Sequence, residues 1–253
     1  MNEWNNKFKL LLNQKPSLVG GWLMSGSPII AELLSYVGYD YIVIDVEHGS
    51  AQPYVLGDLI RAIESNGTVA IVRLQNHNET VIKQALDAGA MNLLFPFIQT
   101  VEQAQSIVQS ALYPPQGRRG YAMMHRGSRF ATREHYFSKI NQELGLYAQL
   151  ETKSAIDSLI SISAVEGISG VFIGPGDLSV DLGFAGNTQH PEVLSIMKQV
   201  GLLCKQKKIS LGTVVANSDS AVWAFECGYR FVSIGNDLAN IKNKSLEQIK
   251  QFR

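Results

Sequence analysis

Tyr41-Ile-Val-Ile-Asp45-Val-Glu47-His48-Gly49 runs from a continuous apolar stretch straight into three groups that handle protons or metals. A short apolar run, rich in β-branched residues and ending at a glycine, reads as a buried parallel strand whose exit delivers polar side chains. The pattern recurs in Val69-Ala-Ile-Val-Arg73, in Leu146-Tyr-Ala-Gln149-Leu-Glu151 and in Gly170-Val-Phe-Ile-Gly174-Pro175-Gly176-Asp177. Several strands that each run from apolar residues to a polar end point to one shared rim, where an α/β barrel assembles its site.

Outward from these four, apolar β-rich runs alternate with segments of helical period. Strands are expected at 18–24, 39–45, 69–74, 92–97, 146–151, 170–173, 209–215 and 229–234, and helices at 28–37, 56–65, 80–87, 101–111, 155–163, 191–206 and 218–227. Eight strands in this alternation predict a TIM (β/α)8 barrel, a single domain over residues 1–253. Gly38 and Gly228 each stand between a helix and the next strand, where a left-handed cap is expected. The opening segment, with Trp4, Phe8, Leu11 and Leu12, is amphipathic, as is the closing one, with Leu238, Ile241, Leu246, Ile249 and Phe252. Each is expected to cap the barrel or to pack on another subunit. Residues 113–137 form the one long irregular stretch, and a loop of that length inside a compact fold is usually functional.

Composition narrows the partners. Lys and Arg total 22 against 22 Asp and Glu, so the chain lacks the positive field of a general nucleic-acid or anionic-membrane binder, and small molecules are the expected partners. Cys204 and Cys227 have no metal-ligand spacing and read as buried thiols. The first residues carry no signal pattern and no apolar run approaches bilayer-spanning length, so a cytoplasmic protein is expected. Gly-rich dinucleotide or phosphate loops and a Gly-x-Ser-x-Gly elbow are missing, which leaves nothing to support NAD or ATP.

On a parallel barrel the strand exits converge, so Asp45, Glu47, His48, Arg73, Glu151 and Asp177 are expected to be neighbours. Glu151 and Asp177 end consecutive strands, and two ionised carboxylates there repel unless a cation sits between them. All-oxygen ligands favour magnesium or manganese; two solvated or salt-bridged acids are the alternative. His48 titrates nearest neutral pH and is the candidate general base, with Asp45 to orient it, against an ordinary packed or exposed histidine. Arg73 offers a planar fork of donors to a substrate carboxylate and to charge on an adjacent oxygen, against a salt bridge to Asp45 or Asp87.

Gly21-Trp22 with Ser27-Pro28, Ile44-Asp45-Val46-Glu47-His48-Gly49, Val72-Arg73, Leu86-Asp87-Ala-Gly89, Tyr113-Pro114-Pro115-Gln-Gly117-Arg-Arg119-Gly120, Gln149-Leu-Glu151-Thr152 and Phe172-Ile-Gly174-Pro175-Gly-Asp177-Leu178-Ser179 carry a resemblance. With Gly186-Asn187, His190-Pro191 and Ala216-Asn217 in the same order, the chain resembles the HpcH/HpaI family, the 4-hydroxy-2-oxoheptanedioate and 2-dehydro-3-deoxy-glucarate aldolases. The resemblance implies a class II pyruvate aldolase that uses a divalent metal ion on a TIM barrel of the phosphoenolpyruvate/pyruvate type. Such an enzyme cleaves 4-hydroxy-2-oxo acids reversibly to pyruvate and an aldehyde. By this resemblance Glu151 and Asp177 match the metal ligands, Arg73 the residue facing the pyruvyl oxygens, and His48 with Asp45 the catalytic dyad. Gln149, Gly176 and Asp177 match the pyruvate surroundings, and Trp22 and Asp87 match positions in or near the site or a subunit interface. It also implies a homo-oligomer, commonly a hexamer, with the C-terminal helix on a neighbour.

Departures fall where substrate choice is made. Many relatives read Gly-Glu-His-Ala-Pro where this chain reads Val46-Glu47-His48-Gly49-Ser50, and Leu74-Gln75-Asn76 follows Arg73 in place of the usual Val-Pro or Pro-Ser. Arg118, Arg119, Arg126, Arg129 and Arg133 crowd one loop, expected to be either a subunit interface or a pocket for an anionic aldehyde or second carboxylate. The basic loop keeps a rival open: an oxaloacetate-dependent carbon–carbon bond-forming enzyme of the same superfamily, a decarboxylating synthase or a siderophore-type citrate synthase. A catalytically silent binding protein on the same barrel is a third class, but loss of Glu151, Asp177, Arg73 or His48, its expected mark, is absent.

Overall fold

The computed structural model describes residues 5–253, and Trp4 lies outside the described residues. The strands are β1 (Leu18–Leu23), β2 (Tyr41–Asp45), β3 (Val69–Arg73), β4 (Asn92–Phe95), β5 (Gly145–Leu150), β6 (Gly170–Ile173), β7 (Leu211–Val215) and β8 (Phe231–Ile234). Each pairs in parallel with the next and β8 returns to β1, closing a TIM barrel. The helices are α1 (Lys7–Gln14), α2 (Pro28–Val37), α3 (Leu56–Glu64), α4 (Glu79–Asp87), α5 (Val101–Ala111), α6 (Tyr136–Glu143), α7 (Lys153–Asp157), α8 (Leu159–Ser163), α9 (Pro175–Asp181), α10 (Pro191–Lys207), α11 (Ser218–Cys227) and α12 (Asp237–Ile249).

The two-residue period of a strand divides its side chains between two cores. Ile42, Ile44, Ala70, Val72, Leu146, Ala148 and Leu150 pack outward in the layer shared with the helices. Tyr41, Val43, Val69, Ile71, Leu94, Tyr147, Phe172 and Phe231 fill the barrel itself. That interior leaves no room for extra atoms: a Cβ on Gly20 would stand 2.2 Å from the Tyr41 ring, and one on Gly212 would stand 2.1 Å from Phe231. Continuing the alternation upward puts Trp22, Asp45, Arg73, Gln149 and Glu151 on the inward side, so the site is the last, polar layer of an otherwise apolar interior.

The other end is closed by α1. Phe8 is fully buried and meets Tyr41, Tyr147 and Phe231 edge-on, at centroid distances of 5.2, 5.6 and 5.4 Å. Of the two roles open to the first segment, the described part therefore caps the barrel. In α12, by contrast, Asp237 is buried at the start while Leu238, Ile241, Leu246 and Ile249 are about half exposed. Gly38 (φ +101°) and Gly228 (φ +111°) are left-handed helix caps as expected. Three elements differ from the sequence reading. The helix expected at 155–163 is broken at Ser158 into α7 and α8, α9 forms directly after β6, and α6 follows the long loop.

Candidate active site

Asp45 anchors the layer. It is fully buried, and β2–β3 register sets it directly opposite Arg73. Its Oδ1 accepts hydrogen bonds from Arg73 Nε (3.1 Å) and from the backbone amides of Glu47 (3.0 Å) and His48 (3.1 Å). Its Oδ2 accepts from Arg73 Nη2 (2.6 Å) and Trp22 Nε1 (3.1 Å). Burial pushes the Asp45 carboxyl up, but the Arg73 guanidinium, the His48 amide and the Trp22 indole outweigh it and hold it below the ordinary carboxylate range.

Arg73 is thereby clamped. Nε and Nη2 lie on Asp45, Nη1 is 2.8 Å from Glu47 Oε2, and the guanidinium carbon stands 5.0 Å from the Trp22 ring centroid. The salt bridge to Asp45 weighed from sequence is present, together with a second carboxylate. Trp22, matched to a position in or near the site, stands behind Arg73 with its N–H committed to Asp45.

The expected pairing of Asp45 with the His48 ring is not the one formed. Asp45 reaches only the His48 backbone, because five N–H groups already occupy its oxygens. The imidazole is 63% exposed, and among the described residues the carboxylate oxygen nearest to it is Glu47 Oε2, 3.9 Å from Nε2. Glu47, expected from sequence only as a neighbour in the site, thus takes the place beside the ring expected of Asp45.

Glu151 leaves β5 buried and pointing inward. Its Oε1 accepts from Gln149 Nε2 (2.7 Å) and its Oε2 from the backbone N–H of Phe97 (2.8 Å). Phe97 adopts a left-handed conformation (φ +56°) to deliver that amide, a contribution that side-chain chemistry in the sequence does not announce. A Cβ on Gly174 would lie 2.7 Å from Glu151 Cγ, so the glycine after β6 makes room for this carboxylate. Burial, then repulsion from Asp177 and Glu47, pushes the Glu151 carboxyl up to about 7 against the opposing Phe97 amide and Arg73. Asp177 lies in the first turn of α9, exposed, and Gly176 beside it borders open space.

This donor set fits a hard divalent cation. Two mutually repelling carboxylates and the buried Gln149 Oε1, which has no hydrogen-bond partner, leave an excess of oxygen acceptors. Among the described residues no group of three His, Cys, Asp or Glu side chains is arranged to hold a metal. A site of two carboxylates completed by water and substrate oxygens is typical of magnesium.

The basic loop lies elsewhere. Arg118 pairs with Glu79 (3.4 Å), Arg119 with Asp87 (2.7 Å) and Arg126 with Glu64 (3.7 Å), all on the outer helices α3 and α4. Asp87 is thus part of this outer network, with buried Arg119 stacked 4.5 Å over Tyr113. A cavity of about 590 Å³, lined in part by Asn6, Lys7, Glu64 and Arg126, lies at the end capped by α1 and includes none of the site residues.

The profile of the HpcH/HpaI aldolase/citrate lyase family matches residues 18–243. A 2-dehydro-3,6-dideoxy-6-sulfogluconate aldolase of Pseudomonas putida is 35% identical over 94% of this chain and 93% of its own. A 5-keto-4-deoxy-D-glucarate aldolase of Klebsiella pneumoniae is 34% identical over 98% of this chain and 97% of its own. Among solved structures, a HpcH/HpaI aldolase/citrate lyase family protein from Burkholderia cenocepacia superposes with a TM-score of 0.92 at 31% identity, over 98% of this chain and all of that one. The citrate synthase SbnG superposes with a TM-score of 0.85 at 25% identity, over 98% of both chains.

Proposed function

The chain belongs to the HpcH/HpaI aldolase/citrate lyase family, a carbon–carbon lyase by its aldolase relatives, and we propose that it is a class II aldolase dependent on a divalent metal. Its reaction is the reversible cleavage of a 4-hydroxy-2-oxo acid to pyruvate and an aldehyde. The observation that carries this reading is the pair Glu151 and Asp177 at the rim, with the buried member pushed up to about 7 by burial and like charge. Sugar-derived 2-oxo acids named in the aldolase relatives make polyhydroxylated chains the first substrates to try.

Glu151 and Asp177 would hold a magnesium or manganese ion, which would supply Lewis acidity to the bound 2-oxo acid. Arg73, fixed in plane by Asp45, Glu47 and Trp22, contributes a preorganised positive charge toward the oxygen that becomes the enolate oxygen of pyruvate. His48, solvent-exposed beside Glu47, takes the proton of the C4 hydroxyl as the C3–C4 bond breaks and gives it to C3, where the electron pair of that bond was left. In the reverse direction it draws the proton from the methyl group of pyruvate. Gln149 holds Glu151 in place and, with Gly176, borders the space for the 2-oxo acid.

The test is pyruvate release, measured with a coupled assay, from 4-hydroxy-2-oxo acids of varied length and terminal charge. Protein stripped with chelator and restored with magnesium or manganese is expected to release pyruvate only when restored. No release from any substrate overturns the aldolase. The SbnG likeness then makes oxaloacetate with acetyl-CoA the next pair of reagents.

A further inference from the structure

We infer that Glu47, rather than Asp45, is the positioning residue of His48, a conclusion that rests on His48 being the base. Asp45 has no capacity to spare: its two oxygens accept five N–H groups, and a sixth partner would dismantle the clamp on Arg73. Glu47 is tethered at one point only, with Oε2 2.8 Å from Arg73 Nη1, and the same oxygen is 3.9 Å from His48 Nε2.

The loop that presents both residues is fastened in place. The amides of Glu47 and His48 are pinned to Asp45 Oδ1, and the Ser50 amide donates to the Met24 carbonyl at 2.7 Å. A Cβ on Gly49 would stand 2.3 Å from the Asp45 carbonyl oxygen, so the turn closes only on glycine. The charged groups facing Glu47 are Arg73 from β3, Asp45 and His48 on its own segment, and Asp177 from α9, with Glu151 from the end of β5 close enough to feel its charge.

The charge balance explains the arrangement. Burial pushes the Glu47 carboxyl up, as do Asp45 and Asp177, while Arg73 and His48 oppose them. When the C4 hydroxyl gives its proton to His48 Nδ1, the imidazolium that forms keeps its Nε2–H toward a carboxylate already held by Arg73. A neutral side chain at position 47 would remove the carboxylate that, among the described residues, lies within 4 Å of that ring.

The test compares Glu47→Gln and Glu47→Asp with the unaltered enzyme, restored with diamagnetic magnesium, and follows the His48 C2–H resonance by NMR with His48→Ala as the assignment control. For Glu47→Gln, loss of the negative charge 3.9 Å from the ring is expected to move the acidic limb of the kcat profile, and the midpoint read from the His48 C2–H resonance, to lower pH. Turnover falls about tenfold while KM stays within about threefold, the loss expected for a weakened base rather than weakened binding. Glu47→Asp keeps the charge and restores part of the shift. An unmoved His48 titration in Glu47→Gln, or in Glu47→Asp a shift as large as that of the glutamine variant, overturns the assignment. If His48→Ala keeps its turnover, the base reading fails instead, and the NMR titration judges Glu47 by itself.

Discussion

At the scale of single residues, the structure separates groups that act from groups that hold. His48 is solvent-exposed and packs against little, so His48→Ala is expected to keep the wild-type melting temperature while pyruvate release falls on the order of 10²- to 10⁴-fold. Unchanged turnover would remove it from the reaction. Asp45→Asn is expected to do the opposite kind of damage. It leaves the Arg73 guanidinium, 9% exposed, without its bidentate partner, and breaking a buried pair costs about 3–5 kcal/mol, readable as a large drop in chemical-denaturation midpoint. Glu151 gives a pH dependence with a definite sign. Its carboxyl is pushed up to about 7 from an ordinary 4.5, so in metal-free protein its protonated form is the one the fold favours. Stability from this group is complete below the ordinary value and is lost as pH rises through about 7. The melting temperature of metal-free protein should therefore fall between about pH 5 and 8 and be recovered by manganese at the upper end, with Glu151→Gln flattening the dependence. A slope that survives in Glu151→Gln would assign it to another group.

At the scale of elements, the exits of β5 and β6 are built around one another. Gly174 follows β6 where any side chain would press on Glu151, and Phe97 bends into a left-handed conformation so that its amide reaches the same carboxylate. Gly174→Ala is expected to displace Glu151, weakening manganese binding at least tenfold by calorimetric titration and costing about 1–3 kcal/mol of stability from overpacking. Wild-type affinity in this variant would show that Glu151 does not hold the ion. The strands themselves were legible because they are short, apolar and buried on both faces, and all eight formed close to their expected positions. The elements that escaped are short and abut irregular chain, where a few apolar positions do not stand out: Leu178 in α9, Tyr136 and Ile140 in α6. The seven residues of α9 begin at Pro175 as a turn off β6, and α6 follows a loop whose course is set by outer ion pairs such as Arg119 with Asp87.

At the scale of the whole molecule, α12 leaves an apolar face unpaid within one chain. Leu238, Ile241, Leu246 and Ile249 are about half exposed, and α2 shows Ile29, Leu33, Tyr36 and Val37 to solvent. We propose that copies of the chain cover these faces in a homo-oligomer. Light scattering is expected to give a hexamer, and the paired change Ile241→Asp with Leu246→Asp a smaller species; a monomeric wild-type protein would end the proposal. Among the described residues no helix is long and apolar enough to cross a membrane.

The sequence by itself determined the barrel, its rim and the list of charged groups there. Strand period and the position of each polar residue relative to its strand are local properties, and they forced Asp45, Arg73, Gln149 and Glu151 onto one inward-facing layer. Which of those groups meet was decided only by the tertiary structure. Asp45 and His48 are three residues apart, yet the carboxylate turns to Arg73 from the neighbouring strand, because a buried guanidinium needs a bidentate partner more than an exposed imidazole does. The basic loop followed the same logic: its arginines are clustered in sequence, but Arg118, Arg119 and Arg126 find their carboxylates on α3 and α4 rather than at the strand ends. Pairing depends on distances across the barrel and on which charges lose their water, and neither quantity is written in the order of the residues.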